Sequence, residues 1–436
     1  MNFRIKYFIL ISAFSYFLPG KLNAQTNINP DEVSRIVKTL SADNMRGRKA
    51  LTPDIDKAAT FISAEFKKAG LQTWPGLKSF EQSFPVYEIN SFSSSVVLDG
   101  TTLTEPAVLI KTGAKKVEWN QKSNSVKILT RIEASDNLIE KFQETLTSKE
   151  SGLVLIDTAH AELFKRYKNY LSRNNLQLNL DSTTLVFALT SVKNPQSVQV
   201  SAQNAVTKKT LKNIVGYLPG TTRKNEYVIF SAHYDHIGIL NPVNGDSIAN
   251  GADDDATGTT AVITLANYFK KQKKNARSLI FVAFTAEEIG GYGAQYFSKQ
   301  LDPQQVTAMF NIEMIGKESQ FGKNAGFITG YDKSNFGQII QKNLVGSSYS
   351  FQPDPYLKEN LFYRSDNATL ARLGVPAHTL STDKIDTDKL YHSVDDEFAS
   401  LDIANMTNII KAIAQAARSI IAGQDTPTRI KPEDVK

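Results

Sequence analysis

Cysteine is absent from this 436-residue chain, and tryptophan occurs only twice. A protein without cysteine forms no disulfide bonds, carries no lipid anchored on cysteine and uses no thiol nucleophile. Its stability must come from a buried core or from bound metal. Clusters of lysine and arginine interleaved with aromatic residues are also absent, which argues against nucleic acid as a partner although the formal net charge is +6.

The first residues resemble an export signal. Arg4 and Lys6 form a basic start, residues 7–18 are mostly apolar, and Ala24 is a small residue suited to cleavage. The apolar run is too short to cross a bilayer comfortably. We therefore expect a signal peptide over residues 1–24, cleavage near Ala24, and a periplasmic or secreted mature chain without a membrane span. An uncleaved N-terminal anchor is the alternative.

Apolar periodicity divides the remaining chain into four regions. They are a helical N-terminal part (25–83), a β-rich insertion (84–204), an α/β core (205–423) and a polar tail (424–436). In the first region, Thr52 and Pro53 predict the start of a helix and Gly70 its end. Short alternating or β-branched runs, interrupted by one amphipathic helix, are typical of the second region and predict strands.

The α/β core predicts a mainly parallel mixed sheet with helices on both faces. Its clearest predicted strands are 227–232, 278–285, 306–312 and 376–380. Residues 278–285 are almost continuously apolar, as expected when helices cover both faces of a sheet. In open α/β sheets, ligands bind beyond the carboxyl ends of the strands. Polar residues that follow these strands are therefore the candidates for a functional site.

Histidines and carboxylates stand at these strand ends or in glycine-bounded loops beside them. They are His233, Asp235, Asp254, Glu287, Glu288, Glu313 and His392. We expect them to converge on one edge of the sheet although they are far apart in sequence. Zinc binds histidine nitrogen and carboxylate oxygen, and a catalytic zinc site keeps one position open for water. The set therefore predicts a zinc site and makes the core, together with residues 25–83, a catalytic domain.

The ligands are sufficient for two zinc ions that share one carboxylate. His233 and Glu313 would hold one ion. Glu288 and His392 would hold the other, and Asp254 would lie between the two. Two metal ions about 3.5–4 Å apart can lower the pKa of water and clamp both oxygens of a tetrahedral intermediate.

Asp235 and Glu287 remain outside these metal spheres. Asp235 is expected to hydrogen-bond the ring of a histidine ligand, and Glu287 to act as the general base for a metal-activated water. Each motif alone has a simpler reading: an acidic run such as 253–255 is typical of a helix N-terminus or a loose Ca²⁺ loop. Their combination at strand ends favours the metal site. His236 is expected to pack beside the site, and His378 in the core.

Five motifs resemble those of the secreted co-catalytic zinc aminopeptidases. They are His233-Tyr-Asp235, Gly251-Ala-Asp-Asp-Asp-Ala-Thr-Gly258, Ala286-Glu-Glu288, Asn311-Ile-Glu-Met-Ile-Gly316 and Tyr391-His392. The superfamily includes bacterial leucyl aminopeptidases, glutamate carboxypeptidases, glutaminyl cyclases and transferrin-receptor-like proteins. The resemblance covers about residues 213–423 and extends to the loop 43–48.

The resemblance implies a phosphorylase/hydrolase-like zinc exopeptidase core with two zinc ions per chain and peptide substrates. It implies that the five proposed ligands hold the metal, that Glu287 is the general base, and that the β-rich insertion occupies the position of a protease-associated domain. Two positions depart from the family pattern. Glu313 stands where many relatives have aspartate, and Ser365-Asp-Asn367 stands where they often have Ser-Asp-His. Tyr363 and Arg364 are candidates for binding the substrate or the tetrahedral intermediate.

These features favour an exopeptidase that removes N-terminal residues from peptides. A glutaminyl cyclase-like transferase would use one zinc and a pocket lined with tryptophan, whereas Trp74 and Trp119 lie outside the core motifs. A carboxypeptidase for acidic C-termini would need a basic pocket, which only Arg364 suggests. A non-catalytic binding ectodomain would have lost ligands that this chain keeps.

Overall fold

The computed structural model describes residues 28–120, 126–173 and 175–435, so the expected signal peptide lies outside the described residues. The helices are α1 (Pro30–Leu40), α2 (Pro53–Ala69), α3 (Leu138–Thr147), α4 (Ala161–Arg173), α5 (Gly258–Gln272), α6 (Tyr292–Ser298), α7 (Phe336–Leu344), α8 (Asn367–Ala371), α9 (Ile403–Ala416) and α10 (Arg418–Ile421). Among the described residues, no helix is long and apolar enough to cross a membrane.

The strands are β1 (Gln72–Thr73), β2 (Glu81–Leu98), β3 (Thr101–Leu103), β4 (Val108–Thr112), β5 (Lys116–Asn120), β6 (Ile128–Ile132), β7 (Gly152–Ile156), β8 (Leu176–Gln177), β9 (Thr184–Leu189), β10 (Val198–Leu218), β11 (Arg223–His233), β12 (Gly238–Val243), β13 (Asp246–Ala249), β14 (Arg277–Phe284), β15 (Val306–Ile312), β16 (Ala325–Ile328), β17 (Ser350–Pro353) and β18 (Ala377–Ser381). They form sheets of twelve, four and two strands.

The twelve-stranded sheet is mixed, with a parallel centre. β14, β11, β15 and β18 lie side by side in that order and run in the same direction. Antiparallel pairs flank them, β10 against β14 on one side and β16 against β18 on the other. The prediction of an α/β fold around a mixed sheet with helices on both faces is confirmed. The expectation that the sheet is mainly parallel holds only at its centre, because β1, β2, β3, β5, β8 and β10 pair antiparallel.

Helices cover both faces of this sheet, and the sequence of β14 shows why. All eight of its residues are buried, and alternate side chains of a strand point to opposite faces. Phe281 packs into the core formed with α1, α2, α5 and α9, whereas Ile280 and Val282 pack into the core formed with α6 and α8. From Leu279 to Phe284 this strand is buried on both faces and carries only apolar side chains.

The helix predicted from Thr52 to Gly70 is confirmed as α2. Pro53 begins it, and Gly70 ends it in the left-handed conformation at φ 76°, which glycine adopts without steric cost. Near the C-terminus, two helices, α9 and α10, meet at Ala417.

The β-rich region contains a second sheet of four strands in the order β4, β9, β7, β6. One face packs against α3 and α4 and the other against β2 and β10. The expectation of a single helix in this region is wrong. The second helix, α3, begins after Asn137, whose side chain accepts hydrogen bonds from the backbone N–H groups of Ile139 and Glu140.

A long antiparallel pair of strands, β2 and β10, connects this region to the core sheet. β2 and β10 pair continuously from Glu81 opposite Ile214 to Leu98 opposite Val198, with one bulge. Both strands therefore run through the predicted boundaries at residues 84 and 204 without a break. The insertion is an extension of two strands of the core sheet.

Candidate metal centre

The candidate ligands lie where the parallel strands end at a common level. His233 is the last residue of β11 and pairs with Phe284 at the end of β14, while Glu313 directly follows β15. The backbone turns sharply at this edge, because Ala286 and Met314 have φ values of 60° and 51°. Left-handed backbone costs an L-residue about 1–2 kcal/mol, so the surrounding structure must hold these turns in place.

Asp254 is at the centre of the cluster. Its Oδ1 lies 3.2 Å from Nε2 of His233, and its Oδ2 lies 3.2 Å from Nε2 of His392. Although burial opposes ionisation, the contacts with these two histidines hold the pKa of Asp254 well below its usual range. Two histidines that approach different oxygens of one carboxylate form the arrangement expected for a bridging ligand.

Glu288 completes the second half of the cluster. Its Oε2 lies 3.1 Å from Nε2 of His392, and its Oε1 lies 2.8 Å from Nδ1 of His236. His236 is also 3.7 Å from Oδ2 of Asp254. The structure therefore places His236 beside the site, as predicted, but in contact with two ligand carboxylates. Gly251 makes room for it, since a Cβ there would lie 2.5 Å from the His236 ring.

The role predicted for the Asp235 side chain is wrong. Nδ1 of His233 contacts the backbone oxygen of Asp235 at 3.0 Å, whereas the Asp235 carboxylate is 4.0 Å away. That carboxylate instead accepts hydrogen bonds from the backbone N–H groups of Glu287 at 3.1 Å and Glu288 at 3.4 Å. Asp235 therefore fixes the turn that carries the two glutamates, and its peptide carbonyl orients the His233 ring.

These contacts allow a test of whether the residues fit zinc. A carbonyl oxygen only accepts, so Nδ1 of His233 carries a proton, and in the neutral ring Nε2 would present a lone pair to Asp254. Two acceptors 3.2 Å apart repel unless a cation or a proton lies between them. Ligands bound to a tetrahedral zinc ion at 2.0–2.1 Å are about 3.3 Å from one another. The spacing and the donor types therefore fit zinc.

Buried atoms without partners support the same fit. Among the described residues, Nε2 of His233 and Oε2 of Glu313 are buried and have no hydrogen-bond partner. Contacts with Asp254 and Glu288 outweigh burial and raise the pKa of His392 to about 10. In the absence of metal, a proton on His392 takes the place of a cation between these carboxylates.

Glu287 lies half-buried in the wall of the site. Burial, together with the charges of Glu313 and Asp366, raises its pKa well above the usual range despite the opposing effect of His233. Burial and like charges also raise the pKa of Asp366 to about 8, and neither of its carboxyl oxygens has a hydrogen-bond partner among the described residues. Sequence reasoning quoted Asp366 only as part of a motif.

The neighbours of Asp254 in the acidic run have structural roles. Oδ1 of Asp255 accepts hydrogen bonds from the N–H groups of Gly258 and Met314, at 2.9 and 3.1 Å. Oδ1 of Asp253 accepts one from Gly316 at 2.8 Å. These bonds tie the loop of Asp254 to the turn after Glu313. The choice of the middle aspartate as the ligand agrees with these geometries.

Arg48 is a supporting residue that the sequence did not reveal. Its guanidinium is buried, with the residue 1% exposed, and donates to the backbone oxygens of Tyr234 at 2.9 Å, Asn250 at 2.6 Å and Gly251 at 2.9 Å. It thereby connects the turn after His233 to the loop of Asp254. Its only sequence signal was the position in the loop 43–48 that resembles the family.

A pocket opens beside the cluster, with about 570 Å³ of empty space that includes open solvent. Its lining residues include Glu287, Glu313, Met314, Phe327, Leu361, Arg364, Asp383, Ile385, Tyr391 and His392. The Tyr391 ring stacks on His392 with centroids 3.9 Å apart. Of the two candidate substrate contacts, Arg364 lines the pocket. Tyr363 does not, because its hydroxyl donates to the backbone oxygen of Asp434 at 3.2 Å.

The asparagine of Ser365-Asp-Asn367 is a structural residue. Its amide nitrogen donates to the backbone oxygen of Phe362 at 3.0 Å, and its amide oxygen accepts from the Thr379 hydroxyl at 2.9 Å. Ser365 accepts from Asn311 at 2.7 Å. This motif anchors one wall of the pocket to strands β15 and β18.

Comparison with known proteins identifies related chains. Residues 213–417 match the model of peptidase family M28. A probable zinc metalloprotease of Pyrenophora teres f. teres is 33% identical over 108 residues, which cover 24% of this chain and 23% of the relative. Aminopeptidase YwaD of Bacillus subtilis is 24% identical over 171 residues, which cover 37% of this chain and 35% of the relative. The chain thus spans about a quarter to a third of the length of these two relatives.

Solved structures share the fold. BSAP, a zinc aminopeptidase from Bacillus subtilis, has a TM-score of 0.55 at 15% identity, covering 94% of this chain and 100% of that chain. An aminopeptidase from Aneurinibacillus sp. strain AM-1 has a TM-score of 0.51 at 14% identity, covering 90% and 94%. The segment that matches the family contains all five candidate ligands. Residues 213–417 are thus similar to peptidase family M28.

Proposed function

We propose that this protein is a zinc-dependent aminopeptidase that removes N-terminal residues from peptides. The observation that carries the proposal is the position of Asp254, with each carboxylate oxygen 3.2 Å from a different histidine nitrogen at the side of a pocket. The family and the names of the relatives point to the same chemistry.

The proposed centre holds two zinc ions per chain. His233 and Glu313 would hold one, His392 and Glu288 the other, and Asp254 would contact both. When bound, zinc supplies Lewis-acid polarisation of a carbonyl and lowers the pKa of a water molecule. The remaining steps depend on side chains of this chain.

Glu287 is proposed as the general base. Its carboxylate would take a proton from the attacking water while the water oxygen forms a bond to the scissile carbonyl carbon. As the C–N bond breaks, Glu287 would pass that proton to the leaving nitrogen. The raised pKa of Glu287 suits these transfers, because a carboxyl group with a pKa above its usual range binds the proton from water more firmly before it passes the proton on.

The charges of the pocket favour a peptide N-terminus over a C-terminus. Carboxylates of Glu287 and Glu313 line the pocket and would accept a free α-ammonium group. A C-terminal carboxylate would instead need cationic side chains. Arg364 is the one arginine among the lining residues, and its guanidinium is engaged with Glu359 at 3.4 Å.

Release of p-nitroaniline from aminoacyl p-nitroanilides tests the proposal. The zinc-loaded protein should hydrolyse these substrates, and a chelator should stop the reaction. Glu287→Gln should keep its zinc and lose about 10²–10⁴-fold in kcat, whereas Glu140→Gln on the exposed surface of α3 should be unaffected. Full activity of Glu287→Gln would contradict the assignment of Glu287 as the general base. Absence of activity in the zinc-loaded wild type would refute the aminopeptidase.

Export is part of the proposal. It rests on the basic start, the apolar run and the small residue at Ala24. Determination of the N-terminal residue of the protein purified from its native host tests it, with Gln25 expected. A chain that begins at Met1 and is recovered from the cytoplasm would contradict it.

A further inference from the structure

One wall of the pocket contains a buried carboxyl group for which the proposed catalytic steps have no use. Asp383 lines the same pocket as Glu287 and Glu313 and is 4% exposed. Neither of its carboxyl oxygens has a hydrogen-bond partner among the described residues. Buried polar atoms are nearly always satisfied, and the other unsatisfied atoms here include Nε2 of His233 and Oε2 of Glu313, both assigned to zinc.

The surroundings of Asp383 have an excess of negative charge. Asp253, Asp383 and Asp388 each present a carboxylate oxygen within 4.8 Å of the others. One ammonium group serves this cluster: Nζ of Lys317 lies 2.6 Å from Asp388 and 3.3 Å from Asp253. Lys317 thus forms ion pairs with Asp253 and Asp388. Burial and the two neighbouring aspartates raise the pKa of Asp383 to about 8, as expected for a carboxyl group that lacks a counter-charge.

The other charged groups of the pocket do not compensate Asp383. Arg364 pairs with Glu359 and is 42% exposed at its side chain. The carboxylates of Asp254, Glu287, Glu288 and Glu313 carry four negative charges, which two zinc ions would balance. With zinc in place, Asp383 is the lining carboxyl group that lacks a cationic partner, and a cation that enters the pocket would lower its pKa and pair with it.

The rest of this wall is apolar. Met314 and Phe327 are buried, and Leu361 and Ile385 are partly buried, all lining the same pocket. A flexible aliphatic chain with a cation at its end matches such a wall, because its methylene groups contact apolar side chains while its head reaches the carboxylate.

We propose that this pocket selects peptides with lysine or arginine at the N-terminus, and that Asp383 receives the cationic head of that side chain. The inference rests on the proposed aminopeptidase activity and adds the substrate class. Asp383 is a specificity residue here, since it touches the substrate side chain and none of the reacting atoms.

Two substrates that differ in a single group test the proposal. Lysyl and norleucyl p-nitroanilide share a four-carbon chain, and only lysine carries the terminal ammonium. A charge-assisted contact in a buried pocket should favour lysine in kcat/KM by about 10- to 100-fold. A wild-type ratio of 1 or below would overturn the proposal without any variant, so the test does not depend on the folding of a mutant.

Variants assign the preference to Asp383. Asp383→Asn should lower the lysine-to-norleucine ratio by about 10-fold or more, and Asp383→Glu should restore part of it. Asp386→Asn is the matched control, because Asp386 is exposed on the same loop and its loss changes the net charge equally; its ratio should equal that of the wild type. An unchanged ratio in Asp383→Asn, or an equal fall in Asp386→Asn, would overturn the role of Asp383.

The same assay separates the two proposals. Hydrolysis of norleucyl p-nitroanilide without a preference for lysine overturns the inference and leaves the aminopeptidase intact. Absence of hydrolysis of both substrates by the zinc-loaded protein overturns the aminopeptidase and the inference with it.

Discussion

Replacement of Arg48 by methionine tests whether one buried guanidinium holds the metal-ligand loop. Methionine keeps much of the aliphatic volume and removes all the donors. The backbone oxygens of Tyr234, Asn250 and Gly251 would then lose bonds of 2.6–2.9 Å. The lost bonds are charge-assisted and buried, so each is worth about 1.5–3 kcal/mol, although losses at one centre do not add.

We expect Arg48→Met to lower the free energy of unfolding by about 3–5 kcal/mol, the range seen when a buried charged partner is removed. Zinc affinity should fall as well, because Arg48 orders the loop of Asp254. The melting temperature of the variant should therefore rise more with added zinc than that of the wild type. Differential scanning calorimetry with and without chelator measures both effects.

Arg46→Met is the matched control for this experiment. Arg46 lies two residues earlier, is 53% exposed at its side chain and contacts Asp54 at 3.3 Å, and exposed ion pairs contribute about 0–1 kcal/mol. Its melting temperature should stay within a few degrees of the wild type. If Arg48→Met melts like Arg46→Met, both with and without zinc, then Arg48 does not hold the ligand loop.

Three further predictions concern the metal and its frame. Asp254→Asn should reduce zinc in the dialysed protein from two ions to one or fewer per chain, measured by elemental analysis; two retained ions would contradict the bridging role. Gly47→Ala should lower the free energy of unfolding by about 2 kcal/mol or more, because φ of Gly47 is +66° and a Cβ there would lie 2.4 Å from a backbone oxygen. Gly76→Ala is the control: φ is +92°, but a Cβ would enter open space. The control should therefore cost less in the same urea titration. The metal-free protein should lose stability as pH rises from about 4 to 8. Burial raises the folded-state pKa of Asp366 to about 8 and that of Asp396 to about 7, so the folded state binds more protons than the unfolded state in this window. Melting temperatures in chelator that rise over this range would contradict the prediction.

The sequence could predict that these candidate ligands lie at one edge of the sheet because the relevant information is local. β14 is apolar from Leu279 to Phe284 and then ends before Glu287 and Glu288, so the change from apolar to acidic marks a strand end. Parallel strands bring such ends to one edge whatever the length of the chain between them. This explains how His233 and Glu313, distant in sequence, were placed together from composition and strand order.

The supporting residues lie beyond that reasoning. Arg48 donates to the backbone oxygens of Tyr234 and Gly251, which are 186 and 203 positions further along the chain. Because every residue has a backbone oxygen, no residue type identifies such a partner in the sequence. Asp235 shows the same limit. Its carboxylate and its backbone carbonyl are both hydrogen-bond acceptors near the His233 ring. The carbonyl binds the ring because the carboxylate accepts from the backbone of Glu287 and Glu288 in the turn after β14. Such choices depend on packing at long range.

The metal centre and the wall of the pocket are consequences of one electrostatic problem. The fold buries several carboxylates at the end of its sheet, and the buried guanidinium of Arg48 beside them donates to peptide oxygens. Without metal, protons must neutralise part of this charge, as the raised pKa values of Glu287 and Asp366 indicate. Zinc and protons therefore compete for the same site, so binding of zinc must release protons and its apparent affinity must rise with pH. Asp383 lies outside the proposed zinc ligands, which is why a cation from the substrate, rather than the metal, is the expected partner for its charge.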